Sequence, residues 1–169
     1  MNINCDQFSW FDASTEVKEL LVLATKTWEN PEESLKYMEQ ALAQNEKDTN
    51  LDILVAAYRY FYYQNNYDLA LKMANKIIAI IKQSEQLPDD WKSMKPTLVS
   101  RQEESQIRLL LNTYAAMGMI LAKLGDLEQS KRIIKNIQSM NEKYNEYNKY
   151  DFGASILWKI LNPPLKDEE

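Results

Sequence analysis

The chain contains no histidine and a single cysteine among its 169 residues. Those two shortages remove the commonest zinc sites and the usual Ser-His-Asp and Cys-His arrangements. Cys5 has no second thiol to bridge, and with no imidazole to take its proton it reads as an incidental thiol. Glycine is equally scarce. Gly118, Gly125 and Gly153 are the full set, so no glycine-rich phosphate loop can form. Three glycines and five prolines also argue against the many tight turns of an all-β fold. The apolar run from Ile77 to Ile81 is far shorter than the about 20 residues that cross a bilayer. Met1-Asn2-Ile3-Asn4-Cys5 offers neither the basic nor the apolar region of a signal peptide, and it lacks the second-position glycine of a myristoylation site. The expectation is a soluble cytoplasmic protein with no membrane contact.

Basic surface is also missing. The net charge is −5 and the pI about 5.0, with no cationic stripe of the kind nucleic-acid binders carry. Lys131, Arg132 and Lys135 lie close together, but Asp126 and Glu128 stand beside them, which describes a solvated helix face. The carboxylate pairs Glu32 with Glu33 and Glu103 with Glu104 are sequence neighbours, and adjacent residues on a helix do not face each other. Asp151-Phe152-Gly153 matches a kinase tripeptide by letters only, without the accompanying loops. Asp151 is better read as a helix N-cap. Nothing points to a metal, a cofactor or catalysis, so the chain is read as a non-enzyme.

What is present is helical periodicity in one domain of 1–169, long enough for a sizeable core. Residues 1–13 are poorly periodic and hold Phe8, Trp10 and Phe11, either a lid on the first helices or a contact surface for self-association. Ser14 or Thr15 caps a first helix whose apolar face is Val17, Leu20, Leu21 and Ala24. Asn30-Pro31-Glu32-Glu33 restarts a second, with Asn30 as cap and Pro31 at the first helical position. Asn45 to Asn50 is a polar break before a helix bearing Leu54, Ala57, Tyr58, Phe61 and Tyr62. Gln64-Asn65-Asn66-Tyr67 is the next turn, where asparagine supplies left-handed backbone. Leu69, Ala70, Met73, Ala74, Ile77, Ile78 and Ile81 then mark a fourth helix. Leu87-Pro88-Asp89-Asp90 and Lys95-Pro96 read as breakers, giving an insert at 84–96, with a helix resuming near Thr97 and running through Leu124. Leu110, Tyr114, Met117, Gly118 and Leu121 recur on it at spacings of three and four. After the turn Leu124-Gly125-Asp126-Leu127, the residues Ile133, Ile134 and Ile137 continue the pattern. An Asn/Lys/Tyr/Glu-rich stretch at 141–150 precedes a last helix at about 151–162, stopped by Pro163.

Aligning the three turns brings Ser34, Ala70 and Ser130 into register. The first interval is 36 residues, close to the tetratricopeptide period of about 34, and the second is 60, because about 24 extra residues, the Pro/Asp/Trp stretch and the polar start of the long helix, lie between the second and third units. In the third unit Tyr114, Met117-Gly118, Leu121 and Gly125-Asp126-Leu127 take the places of that family's aromatic, its Leu-Gly pair, its next inner residue and its Gly-Asp-Tyr turn. Leu54, Ala57, Phe61, Tyr67 and Ala70 take them in the second; Leu21, Ser34 and Ala41 do so in the first. Over roughly 15–141 the chain resembles the tetratricopeptide-repeat (TPR) superfamily.

The resemblance implies an all-α protein. Antiparallel helix hairpins at about 15–44, 51–83 and 97–141 would form a right-handed stack, closed by a C-terminal capping helix. It implies a non-catalytic module or adaptor that binds a peptide or helix of another protein in a concave groove lined by the first helix of each hairpin. The groove positions are Glu19, Leu23 and Lys26; Val55, Arg59, Tyr62 and Tyr63; and Ala115, Met119 and Lys123. Lys26, Val55, Arg59, Tyr62, Tyr63, Met119 and Lys123 are the candidate partner-binding set. One subset of the family grips a C-terminal carboxylate with Lys and Asn. The corresponding positions here, Lys18 or Glu19, Val22, Ala56, Asn112 and Ala116, lack most of that clamp. Two further readings stand beside the adaptor: a cytoplasmic chaperone for an exported protein, and a ligand-sensing regulatory domain with a pocket between hairpins.

Overall fold

A computed structural model of the chain describes residues 13–46 and 49–140. The expected capping helix at 151–162, the stretch at 141–150 and the aromatic residues Phe8, Trp10 and Phe11 lie outside the described residues. Those described are all-α and contain seven helices: α1 (Thr15–Lys26), α2 (Pro31–Asn45), α3 (Leu51–Tyr63), α4 (Tyr67–Ser84), α5 (Trp91–Ser100), α6 (Ser105–Leu124) and α7 (Leu127–Ser139). The chain divides into two compact units, 1–73 and 74–169, with the division falling inside α4.

In the first unit, Ser14 caps α1 by accepting from the Val17 amide at 3.3 Å. Val17, Leu21 and Ala24, at spacings of four and three, form the buried face of α1. Asn30 caps α2, its Oδ1 accepting from the Glu33 amide, and Pro31 occupies the first turn where its missing N–H costs nothing. α1 and α2 pack as a hairpin. Ser34, in the first turn of α2 and fully buried, donates its hydroxyl to the Ala24 carbonyl at 2.7 Å. The Tyr60 hydroxyl of α3 lies 2.8 Å from Ser34 Oγ. Serine has one proton, already committed to Ala24, so Tyr60 is the donor in that contact. The Tyr60 ring meets Trp28 edge-on at 5.4 Å. Burial pushes the Tyr60 phenol above its ordinary pKa. At the far end of α2, buried Asn45 accepts from the Asn50 amide at 3.0 Å and donates to the Asn50 carbonyl at 3.2 Å. One side chain thus closes the loop that the sequence shows only as a polar break.

The α3–α4 turn has Asn65 in left-handed backbone at φ 59°, and the Asn66 amide donates back to the Phe61 carbonyl at 2.8 Å. Asn66 Oδ1 accepts from the Leu69 amide, and Ala70 is fully buried one turn on.

In the second unit, Ala74, Ile77, Ile78 and Ile81 are buried along α4. The helix ends like α3: Gln86 has φ 52°, and the Leu87 amide reaches the Lys82 carbonyl at 2.9 Å. Left-handed backbone costs a residue with a Cβ roughly 1–2 kcal/mol. Gln86 is exposed, so its side chain has little packing to lose. Gln86→Gly should therefore stabilise the chain by about 0.5–1 kcal/mol, after allowing for the greater freedom of glycine in the unfolded chain. A thermal melt by circular dichroism checks this, and a lowered midpoint would contradict it.

Here the structure departs from the reading of an insert at 84–96 followed by one helix from Thr97 to Leu124. Trp91–Ser100 is a helix, α5, and 101–104 separates it from α6. Pro96 sits inside α5. Two terms outweigh the backbone bond it forgoes. Met94 and Leu98, four apart, are buried, and Asp90 caps the helix by accepting from the Ser93 amide at 2.8 Å. Hydrogen bonds from the Ser93 side chain and amide hold the Asp90 carboxyl below its usual pKa. In the break, Arg101 forms ion pairs with Glu85 and Glu104. Trp91 stacks on Tyr114 of α6 at 5.2 Å and 10°. Asn136 of α7 donates to the Tyr114 hydroxyl at 2.9 Å.

α6 and α7 pack as a hairpin. Gly125, at φ 87°, supplies the left-handed residue, and the Asp126 amide donates to the Leu121 carbonyl at 2.9 Å. Asp126 then caps α7 through the Gln129 amide at 3.1 Å. Buried Ser130 donates to the Gly118 carbonyl at 2.7 Å. Each of the three turns thus carries an Asx cap, Asn30, Asn66 or Asp126, followed four residues later by a fully buried small residue, Ser34, Ala70 or Ser130. α6 is long and apolar enough to cross a bilayer by length and composition, a test that buried core helices also pass. Ile107, Leu110, Leu111, Ile120 and Leu121 are buried along it.

Candidate functional site

The buried face of α1 uses Val17, Leu21 and Ala24, which leaves two apolar side chains on the other side. Val22 is 43% exposed and Leu23 38%. They line a shallow, open concavity of about 390 Å³ together with Thr15, Lys18, Glu19 and Lys26. The groove positions expected for the first hairpin, Glu19, Leu23 and Lys26, all fall on this face. Lys18 and Val22, which the sequence placed only at positions of an absent clamp, belong to it too. The surplus of apolar residues over those that α1 buries was the available signal.

The α3 positions separate. Val55 is 6% exposed and lies in the core with Ile53 and Leu54, so it offers no surface to a partner. Arg59 is exposed. Tyr62 is half-buried and Tyr63 is 45% exposed; their rings meet edge-on at 5.6 Å. Tyr67 also meets Tyr62 edge-on at 5.6 Å and donates its hydroxyl to Asn65 Oδ1 at 2.9 Å. Burial, then the neighbouring Tyr67 and Tyr63, raise the Tyr62 pKa. The three tyrosines therefore form a fixed aromatic cluster at the α3–α4 turn. On α6, in the second unit, Met119 is half-buried and Lys123 exposed.

Among the described residues no group of three or more His, Cys, Asp or Glu side chains is placed to hold a metal ion. The chemistry these positions present is apolar area, aromatic rings, side-chain ammonium and guanidinium groups and the Glu19 carboxylate.

No protein-family profile matches the chain, and no solved structure matches it. It is similar to a protein of Azotobacter chroococcum mcd 1 described as an uncharacterized 19.8 kDa protein in the nifW 5' region, at 28% identity over 124 residues. That similarity covers 72% of this chain and 64% of the relative, so the chain spans less than two thirds of the relative's length.

Proposed function

We propose that the chain is a non-catalytic interaction module built from tetratricopeptide-like hairpins, and that it binds a peptide or helix of another protein on the first helix of its hairpins. The observation that carries this reading is the open apolar face of α1. Val22 and Leu23 stand in solvent between two lysines, at positions where the repeat family places its ligand contacts. The shared cap and buried small residue of the three turns support the repeat assignment. On α3 the contacts are Arg59, Tyr62 and Tyr63. Arginine and tyrosine are favoured at binding hot spots because they join large contact area to hydrogen bonding. Lys26 is the further contact on α1, Val55 is left out because it is buried, and within the second unit the corresponding positions of α6 are Met119 and Lys123.

Affinity purification from the native host, followed by mass spectrometry of co-eluting proteins, tests this reading. The wild-type chain should retain a specific partner. Leu23→Asp and Arg59→Glu should each weaken that capture about tenfold or more, because each removes a central contact. Leu23 is 38% exposed, so the melting temperature of Leu23→Asp should stay nearly constant, and the melting temperature of Arg59→Glu separates a lost contact from a lost fold. A partner held equally by wild type and both variants would overturn the assignment of the surface.

A further inference from the structure

The α1 face also indicates what kind of partner it accepts. Lys18, Val22 and Lys26 fall at i, i+4 and i+8 and therefore along one side of the helix. At 1.5 Å per residue, the two lysine positions lie about 12 Å apart with the apolar centre between them. No acidic side chain is paired with either lysine among the described ion pairs. Glu19 is the one acid among the described residues that line the face. It stands three residues before Val22 and four before Leu23, so it borders the apolar centre and leaves the face with a net single positive charge. The chain as a whole carries −5, so this row is cationic against the sign of the molecule. Screening over about 8 Å lets the local charges decide what docks here.

We propose that this face binds a segment of another protein in which two side-chain carboxylates, about 12 Å apart, bracket an apolar residue. On a helical partner this is Asp or Glu at i and near i+8, with a large apolar residue midway. The inference rests on the reading of α1 as a partner surface. A second copy of this chain fits the face poorly. A two-fold centred on Val22 in antiparallel packing would set Lys18 of one copy against Lys26 of the other, a like-charge contact on both sides.

The test is selection from a displayed library of random 16-residue peptides against the full-length chain. The wild type should enrich peptides with Asp or Glu seven to nine positions apart around Leu, Ile, Phe or Met. Lys18→Glu with Lys26→Glu should bind those peptides about tenfold or more weakly, and should itself enrich Lys and Arg at the flanking positions. Peptides that depend on Leu23 but show no acidic bracketing, or that bind the charge-reversed chain equally well, overturn the proposal and leave the partner-surface reading standing. Peptides that all survive Leu23→Asp overturn both. A dimer in sedimentation equilibrium that Leu23→Asp dissociates would assign the face to a second copy. Displacement of the selected peptides by a synthetic peptide of residues 1–13 would assign it to the chain's own N-terminus. Either result overturns the proposal.

Discussion

Ser34→Leu should destabilise the protein by about 4 kcal/mol, measured by urea denaturation followed in the far ultraviolet. Ser34 has no exposed surface, and its oxygen sits 2.7 Å from the Ala24 carbonyl and 2.8 Å from the Tyr60 hydroxyl. Leucine adds a branched side chain where α1, α2 and α3 converge, and forcing extra methylenes into a packed core costs about 1–3 kcal/mol. It also strands the Ala24 carbonyl and the Tyr60 hydroxyl, at about 1–3 kcal/mol for each buried group left without a partner. Ser34→Ala separates the two contributions. It strands the same two groups without crowding and should cost about 2 kcal/mol, which leaves about 2 kcal/mol of the leucine effect for the added bulk. A leucine accepted at less than 1 kcal/mol would mean that the α1–α2 contact is loose.

Gly118→Leu should have the next largest effect, about 2 kcal/mol. Gly118 is buried, and Ser130 of α7 reaches its carbonyl at 2.7 Å, so the second helix of the hairpin passes close to the backbone of the first. A leucine side chain there pushes α7 away and breaks that bond. The intrinsic helix preference works the other way, since glycine is about 1 kcal/mol worse than alanine inside a helix. Gly118→Ala is thus the sensitive control. If alanine stabilises and leucine destabilises, the site has room for a methyl group and nothing larger. An unchanged midpoint for leucine would show that the helices separate freely.

The sequence signals that proved readable were local ones. Asn30-Pro31, Asn66 and Gly125-Asp126 announce helix ends within three or four residues, and the structure has a turn and a cap at each. α5 was hidden because its support is not local. Pro96 argues against a helix by itself, whereas Met94 and Leu98 favour one only when something lies above them to bury them. Asn45 shows the same limit: a polar residue in a polar break gives no sign that both ends of its amide will bind Asn50. On the functional side, the groove positions of α1 follow from the resemblance to the repeat family, and the buried stripe of Val17, Leu21 and Ala24 leaves them facing outward. α3 is apolar on nearly every side, with Ile53, Leu54, Val55, Ala57, Tyr58, Tyr60 and Phe61 all buried. The resemblance to the repeat family puts Val55 at a groove position, but among so many buried neighbours on α3 it belongs to the core.

The two indoles among the described residues have a spectroscopic consequence. Trp28 touches Tyr60 in the first unit, and Trp91 lies flat on Tyr114 in the second. Each emission is therefore tied to the packing of its own unit. With the remaining tryptophans replaced by phenylalanine, a chain keeping Trp28 alone and a chain keeping Trp91 alone would report on the two halves separately. Superimposable denaturation curves from that pair would identify one cooperative transition, and displaced curves would identify two.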